Sequence, residues 1–135
     1  MTDSYDDLQQ SYGRCLREKD FIERFYEVFI ASHPDISAMF AQTDFAKQRM
    51  ALRRGISVAI THAAGSRMAE RTVAQMGDVH AREGRAPVRP ELYQYWLESL
   101  VQVVGEKDPE ATPALLGRWR GGMRKVIDTF ISRYD

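Results

Sequence analysis

The residues with the most chemistry to offer lie in Met76-Gly-Asp-Val-His80. Ala69, Val73, Met76 and His80 fall at i, i+4, i+7 and i+11, on one face of a single helix. The imidazole closes an otherwise apolar stripe. A histidine there either satisfies itself with a hydrogen bond in the core or is aimed at something. A second polar anomaly is Gln48. It stands four residues before Leu52 and extends an inward stripe of Leu52, Ile56, Ala59, Ile60 and Ala63. Arg53 and Arg54 point away from that stripe, and His62 lies off it and reads as solvated. His33 precedes Pro34 at a helix end and reads as an exposed chain-end residue.

These residues need long helices to position them, and the chain is written in helices. Leu8, Tyr12, Cys15 and Leu16 share a face, so Cys15 reads as a small buried hydrophobe. Asp20 and Glu23 look like a capping box opening the next helix, whose inward face is Phe21, Phe25, Val28 and Phe29, with Ile22 and Tyr26 at its edge. Pro34 to Phe40 predicts a short helical turn, and Thr43 or Asp44 can cap the helix that carries Gln48. Gly65-Ser66 breaks that helix. After Pro90, the stripe Tyr93, Trp96, Leu97, Leu100, Val101 and Val104 should end at Gly105. Asp108-Pro109 restarts the chain for a last stripe of Leu116, Trp119, Met123, Val126, Ile127, Phe130 and Ile131. Gly117, Gly121 and Gly122 interrupt this stripe, and close helix–helix approach is their expected compensation. With no alternating pattern, repeat or linker, the fold class is all-α, about six main helices and two shorter ones.

Composition removes several classes. The 135 residues suit one domain, spanning 1–135. Nineteen basic residues balance nineteen acidic ones, which argues against a nucleic-acid partner. One cysteine excludes an internal disulfide or a thiolate metal cluster. No apolar run approaches a membrane span and no secretory leader is evident, so a cytoplasmic protein with no membrane partner is expected. No phosphate-binding glycine loop, H-E-x-x-H or C-x-x-C-H motif is present. The three histidines are too widely spaced for a three-imidazole zinc site. Carboxylates do not pair on an apolar face, which makes a two-carboxylate hydrolase a poor fit.

What remains is an all-α chain whose special positions are Tyr26, Phe40, Gln48, Leu52 and His80. Phe25 through Pro34, then Phe40, Gln48-Arg-Met-Ala-Leu52, Met76 to His80, Pro90 to Tyr93 and Trp119 to Ile131 occur in an order that resembles the globin family, from about residue 20 to residue 134. The likeness is to bacterial single-domain globins and the globin part of flavohaemoglobins. It implies a globin fold with haem b (iron protoporphyrin IX) between a distal and a proximal helix. By this resemblance His80 matches the proximal iron ligand. Phe40 matches the aromatic packed on the porphyrin, and Met76, Val88, Tyr93 and Trp96 match proximal-side lining positions. Tyr26 and Gln48 match distal polar residues, and Leu52 the apolar residue over the iron.

The sequence also departs from the family. The segment from Phe40 to Gln48 is shorter than in flavohaemoglobins, and a gapless register would place Arg54 over the iron. A buried unpaired charge there is costly, which favours Gln48 and Leu52. The loop after His80 is longer, leaving Arg82, Arg85 and Lys47 as candidates for the haem propionates on charge alone. Tyr134 stands where flavohaemoglobins carry a glutamate that contacts the proximal imidazole. The function implied by the resemblance is reversible binding of oxygen or another diatomic gas, carbon monoxide or nitric oxide included. Its alternatives are nitric oxide dioxygenation with a separate reductase, or gas sensing. A monomer or homodimer is expected.

Overall fold

The computed structural model describes residues 3–135, and among them there is no β-strand. Seven α-helices follow in order: α1 Asp6–Leu16, α2 Phe21–Ala31, α3 Pro34–Met39, α4 Phe45–Ala63, α5 Arg67–Val79, α6 Tyr93–Lys107 and α7 Pro113–Ser132. A 3-10 turn, Pro90–Leu92, leads into α6. Six long helices and two short ones agree with the reading of the stripes. α2 packs on α6, α4 packs on α5 and α7, and α5 and α6 both lie against α7. α1 closes one side across α6 and α7.

Local chemistry sets most helix starts. Asp44 accepts from the amides of Ala46 and Lys47, Ser66 from Ala69, and Thr112 from Leu115. Pro113 occupies the first turn of α7, where its missing N–H is no loss. α3 has a less common cap. His33 is extended, as the following proline demands, and its Nδ1 accepts from the Asp35 amide at 3.0 Å. Its ring rests on Tyr95, so His33 is half-buried where an exposed residue was expected.

Three other expectations are corrected. Asp20 makes no side-chain cap, because its carboxylate is drawn to Lys107 Nζ at 2.9 Å. α6 runs through Gly105 to Lys107, and Asp108 ends it instead of opening α7. Of the α7 glycines only Gly122 serves close approach: a Cβ there would lie 2.9 Å from Leu8 Cδ1, whereas Gly117 and Gly121 face open space.

Asp108 also holds the fold together. It is buried, as are Ser11 and Trp119. The Trp119 indole N–H donates to Ser11 Oγ at 2.9 Å, and the Ser11 hydroxyl donates to Asp108 Oδ2 at 2.6 Å. Arg14 donates two bonds to the same carboxylate, at 2.7 and 3.0 Å, and the Glu110 amide a third. This network joins α1, the α6–α7 corner and α7. Burial pushes the Asp108 carboxyl up, but the Arg14 and Ser11 bonds outweigh it and hold the group below the usual range.

The carboxylate's contribution is therefore present above the unfolded aspartate value and is lost as pH falls through the lower folded one. Asp108→Ala should cost about 3 kcal/mol in urea unfolding near neutral pH, since it strands Arg14 and Ser11. The gap from the parent protein should narrow below about pH 4. A constant gap across that range would refute the assignment.

Candidate functional site

The two anomalous residues occupy equivalent places on neighbouring helices. Along α4, Leu52, Ile56, Ala59, Ile60 and Ala63 are buried, but Gln48 is only half-buried. Along α5, Ala69, Val73 and Gly77 are buried, while Met76 and His80 are half-buried. Both faces thus lose their cover at the ends far from the Gly65-Ser66 corner. The two helices face each other at Gly55, where a Cβ would lie 3.5 Å from Met76 Cε. Gln48 is two turns beyond Gly55, about 10 Å along the axis, and His80 is one turn beyond Met76, about 6 Å. Beyond that contact Gln48 and Leu52 lie on the α4 side and Met76 and His80 on the α5 side, with Leu52 buried and the other three half-buried. Arg54 is exposed and Leu52 is buried, so the inward register is that of Gln48 and Leu52.

The orientation of His80 follows from its hydrogen bond. Nδ1 lies 2.9 Å from the Ala86 carbonyl oxygen. A carbonyl only accepts, so Nδ1 carries the proton of the neutral ring, and Nε2 keeps an unprotonated lone pair. The loop that brings Ala86 back is tightly built. The Ala86 amide donates to Val79 O at 2.9 Å and the Val88 amide to His80 O at 3.0 Å. A Cβ on Gly84 would come within 2.3 Å of Asp78 O and 2.4 Å of Val79 O, so only glycine fits. On the other side, the Phe130 ring meets the imidazole edge to face with centroids 5.7 Å apart, and Tyr93 packs on Phe130.

The opposite wall is aromatic. Tyr26 is buried, with ring centroids 5.6 Å from both Phe40 and Phe45, and those two stack on each other. Phe29 adds a further edge contact to Phe40. The Tyr26 hydroxyl donates to the main-chain carbonyl of Gln48 at 3.3 Å, which brings the two predicted distal residues together. Burial raises the phenol to about 12, so it stays a protonated donor. A cleft of about 440 Å³, lined in part by Glu23, Tyr26, Phe45 and Arg49, reaches Tyr26 from outside and does not include His80.

The fold finds its match in known proteins. The Globin family matches residues 23–130. The chain is a globin. It is similar to a solved protein of Pseudomonas aeruginosa PAO1, described as structurally highly homologous to a human hemoglobin, with a TM-score of 0.92 and 36% identity. That match covers 98% of each chain. No curated protein matches it. No helix of this globin, among the described residues, is long and apolar enough to cross a membrane.

Other expected residues fall less simply. Val88 sits beside His80 through its amide. Trp96 sets its ring edge against Phe25, which in turn packs on Tyr26. Tyr134 is not the residue at the imidazole: its ring lies under the Arg82 guanidinium, and Phe130, one turn earlier, meets His80. Of the cations considered for an anionic group, Arg82 is paired with Asp135 at 2.6 Å, while Lys47 and Arg85 are exposed. His62 is half-buried where a solvated ring was expected, and its buried Nδ1 has no partner. Burial lowers its affinity for a proton.

Phe45, Phe130, Gly84 and the Ala86 carbonyl escaped sequence reasoning. For Phe130 a signal existed, since it belongs to the last apolar stripe. The other three depend on how the chain returns on itself.

Proposed function

We propose that this globin binds haem b between α4 and α5 and takes up oxygen or another diatomic gas reversibly. The observation that carries the reading is the half-buried imidazole that closes an apolar helix face of a globin fold, with its Nδ1 bonded to a carbonyl and Nε2 left without a proton. The donor set fits the group: one nitrogen, an aromatic and aliphatic lining, and few polar atoms. Haem, when bound, would supply an iron able to take up a diatomic gas.

His80 is the residue that would hold that iron, through Nε2. Phe40, Leu52, Met76, Val88, Tyr93 and Trp96 would line the disc. Lys47 and Arg85 are free to meet the propionates, and Arg82 is engaged elsewhere. Addition of haem should give an intense Soret band that saturates at equimolar ratio. His80→Ala should lose most of it, while His33→Ala and His62→Ala should keep it. A parent protein with no such band refutes the reading.

On the α2–α4 side, Tyr26 and Gln48 offer the polar hydrogens. Oxygen taken up as a ligand would accept a hydrogen bond from these groups, whereas carbon monoxide would stay nearly neutral. A bond to a charged acceptor contributes about 1.5–3 kcal/mol. The Tyr26 hydroxyl already donates to Gln48 O, but 3.3 Å is beyond the usual O–H···O range, so the exchange gives up little. A net gain of about 1.4 kcal/mol is tenfold in equilibrium.

Tyr26→Phe should therefore release oxygen about tenfold faster and leave carbon monoxide release within a few-fold. Gln48→Leu should act the same way more weakly, and the pair should be less than additive because both donors serve one acceptor. Equal effects on the two gases in stopped flow would make Tyr26 a steric residue and remove its polar role.

A further inference from the structure

The loop that holds His80 is gripped from outside by the residues after α7. The Arg82 amide donates to Tyr134 O at 2.7 Å. The Arg82 side chain bonds Asp135 at 2.6 Å and lies over the Tyr134 ring, 4.8 Å from its centroid. Arg133 forks onto Asp78, with Nε and Nη2 bonds of 2.9 and 3.0 Å to the two carboxylate oxygens. Asp78 and Arg82 stand two residues before and two after His80, so the histidine is bracketed. Gly77 allows the close fit, because a Cβ there would lie 3.2 Å from Arg133 Cδ and 3.3 Å from Phe130 Cδ1.

These contacts are at the surface. Arg82, Asp135, Arg133 and Asp78 are all at least two-fifths exposed. Pairs of that kind contribute little to overall stability. Their position gives them a local effect, since Arg133 ties the last turn of α5 at Asp78 and Tyr134 and Asp135 tie the loop at Arg82, on either side of the histidine whose Nδ1 meets the Ala86 carbonyl. Residues that orient a ligating histidine affect metal affinity without touching the metal.

We propose that Arg133, Tyr134 and Asp135, acting through Asp78 and Arg82, are positioning residues for His80. They hold the 81–88 loop so that the Ala86 carbonyl fixes the proton on Nδ1 and leaves Nε2 free to ligate. The consequence for haem rests on the function proposed above, but the tautomer does not. It is read in the apoprotein, so a failure to bind haem and a failure of the latch are told apart.

The experiment uses imidazole ¹⁵N NMR of the full apoprotein at about pH 8, where histidine is neutral. The parent should show His80 as one tautomer, protonated at Nδ1. The double variant Arg82→Ala/Arg133→Ala should show a mixture, with the urea midpoint nearly unchanged. Loaded with haem, it should lose haem to an excess of a scavenging apoprotein about tenfold faster than the parent. Arg82→Ala alone, the milder change, should move both readouts part of the way and serves if the double variant unfolds. An Nε2-protonated His80 in the parent overturns the proposal. So does a variant that loses haem faster, or loses stability, while its tautomer stays that of the parent.

Discussion

The hydrogen bond from His80 to the Ala86 carbonyl is the interaction on which the rest of the site depends. A histidine at the end of an apolar stripe has two nitrogens to satisfy, and one main-chain carbonyl can accept a hydrogen bond from only one of them. Holding that carbonyl at 2.9 Å from Nδ1 decides the tautomer and directs a lone pair at Nε2. Gly84, the bonds returning to Val79 and His80, and the clamp from Tyr134 all serve to keep one carbonyl in place. The acceptor is neutral. A carboxylate at the same place would withdraw the Nδ1 proton more strongly and make the ring a more basic ligand.

The helices set what this ring can reach. α4 and α5 face each other at Gly55 and Met76, and toward the ends beyond that contact Gln48, Met76 and His80 are half-buried while Leu52 is buried. Tyr26 sits among Phe40, Phe45 and Phe25, and its hydroxyl leans on the α4 backbone through one long bond. Burial keeps that hydroxyl protonated, so it remains a donor.

The sequence made the stripes legible because helical periodicity is local. Leu52, Ile56 and Ile60, or Val126 and Ile127, declare their inward face without knowing the partner. Gln48 and His80 stood out as polar members of such stripes. What escaped reading depends on distant residues. Asp108 looked like the start of a helix, yet it is a buried carboxylate shared by Ser11 and Arg14, far away in sequence. Asp20 had cap chemistry, but Lys107 drew its carboxylate away. Gly84 is a loop glycine in sequence, and only the return over Val79 shows why no side chain fits. Tyr134 stands by resemblance where flavohaemoglobins carry a glutamate, but α7 ends at Ser132, and the ring that meets His80 is that of Phe130.

His80, through Nε2, is the residue proposed to hold haem iron. Resonance Raman of the ferrous, gas-free protein labelled with ¹⁵N-histidine tests it most directly. An iron–histidine stretch that moves with the label in the parent, persists in His33→Ala and His62→Ala, and vanishes in His80→Ala is the predicted result. A stretch that survives His80→Ala, or a ferrous iron held by two imidazoles, contradicts the claim.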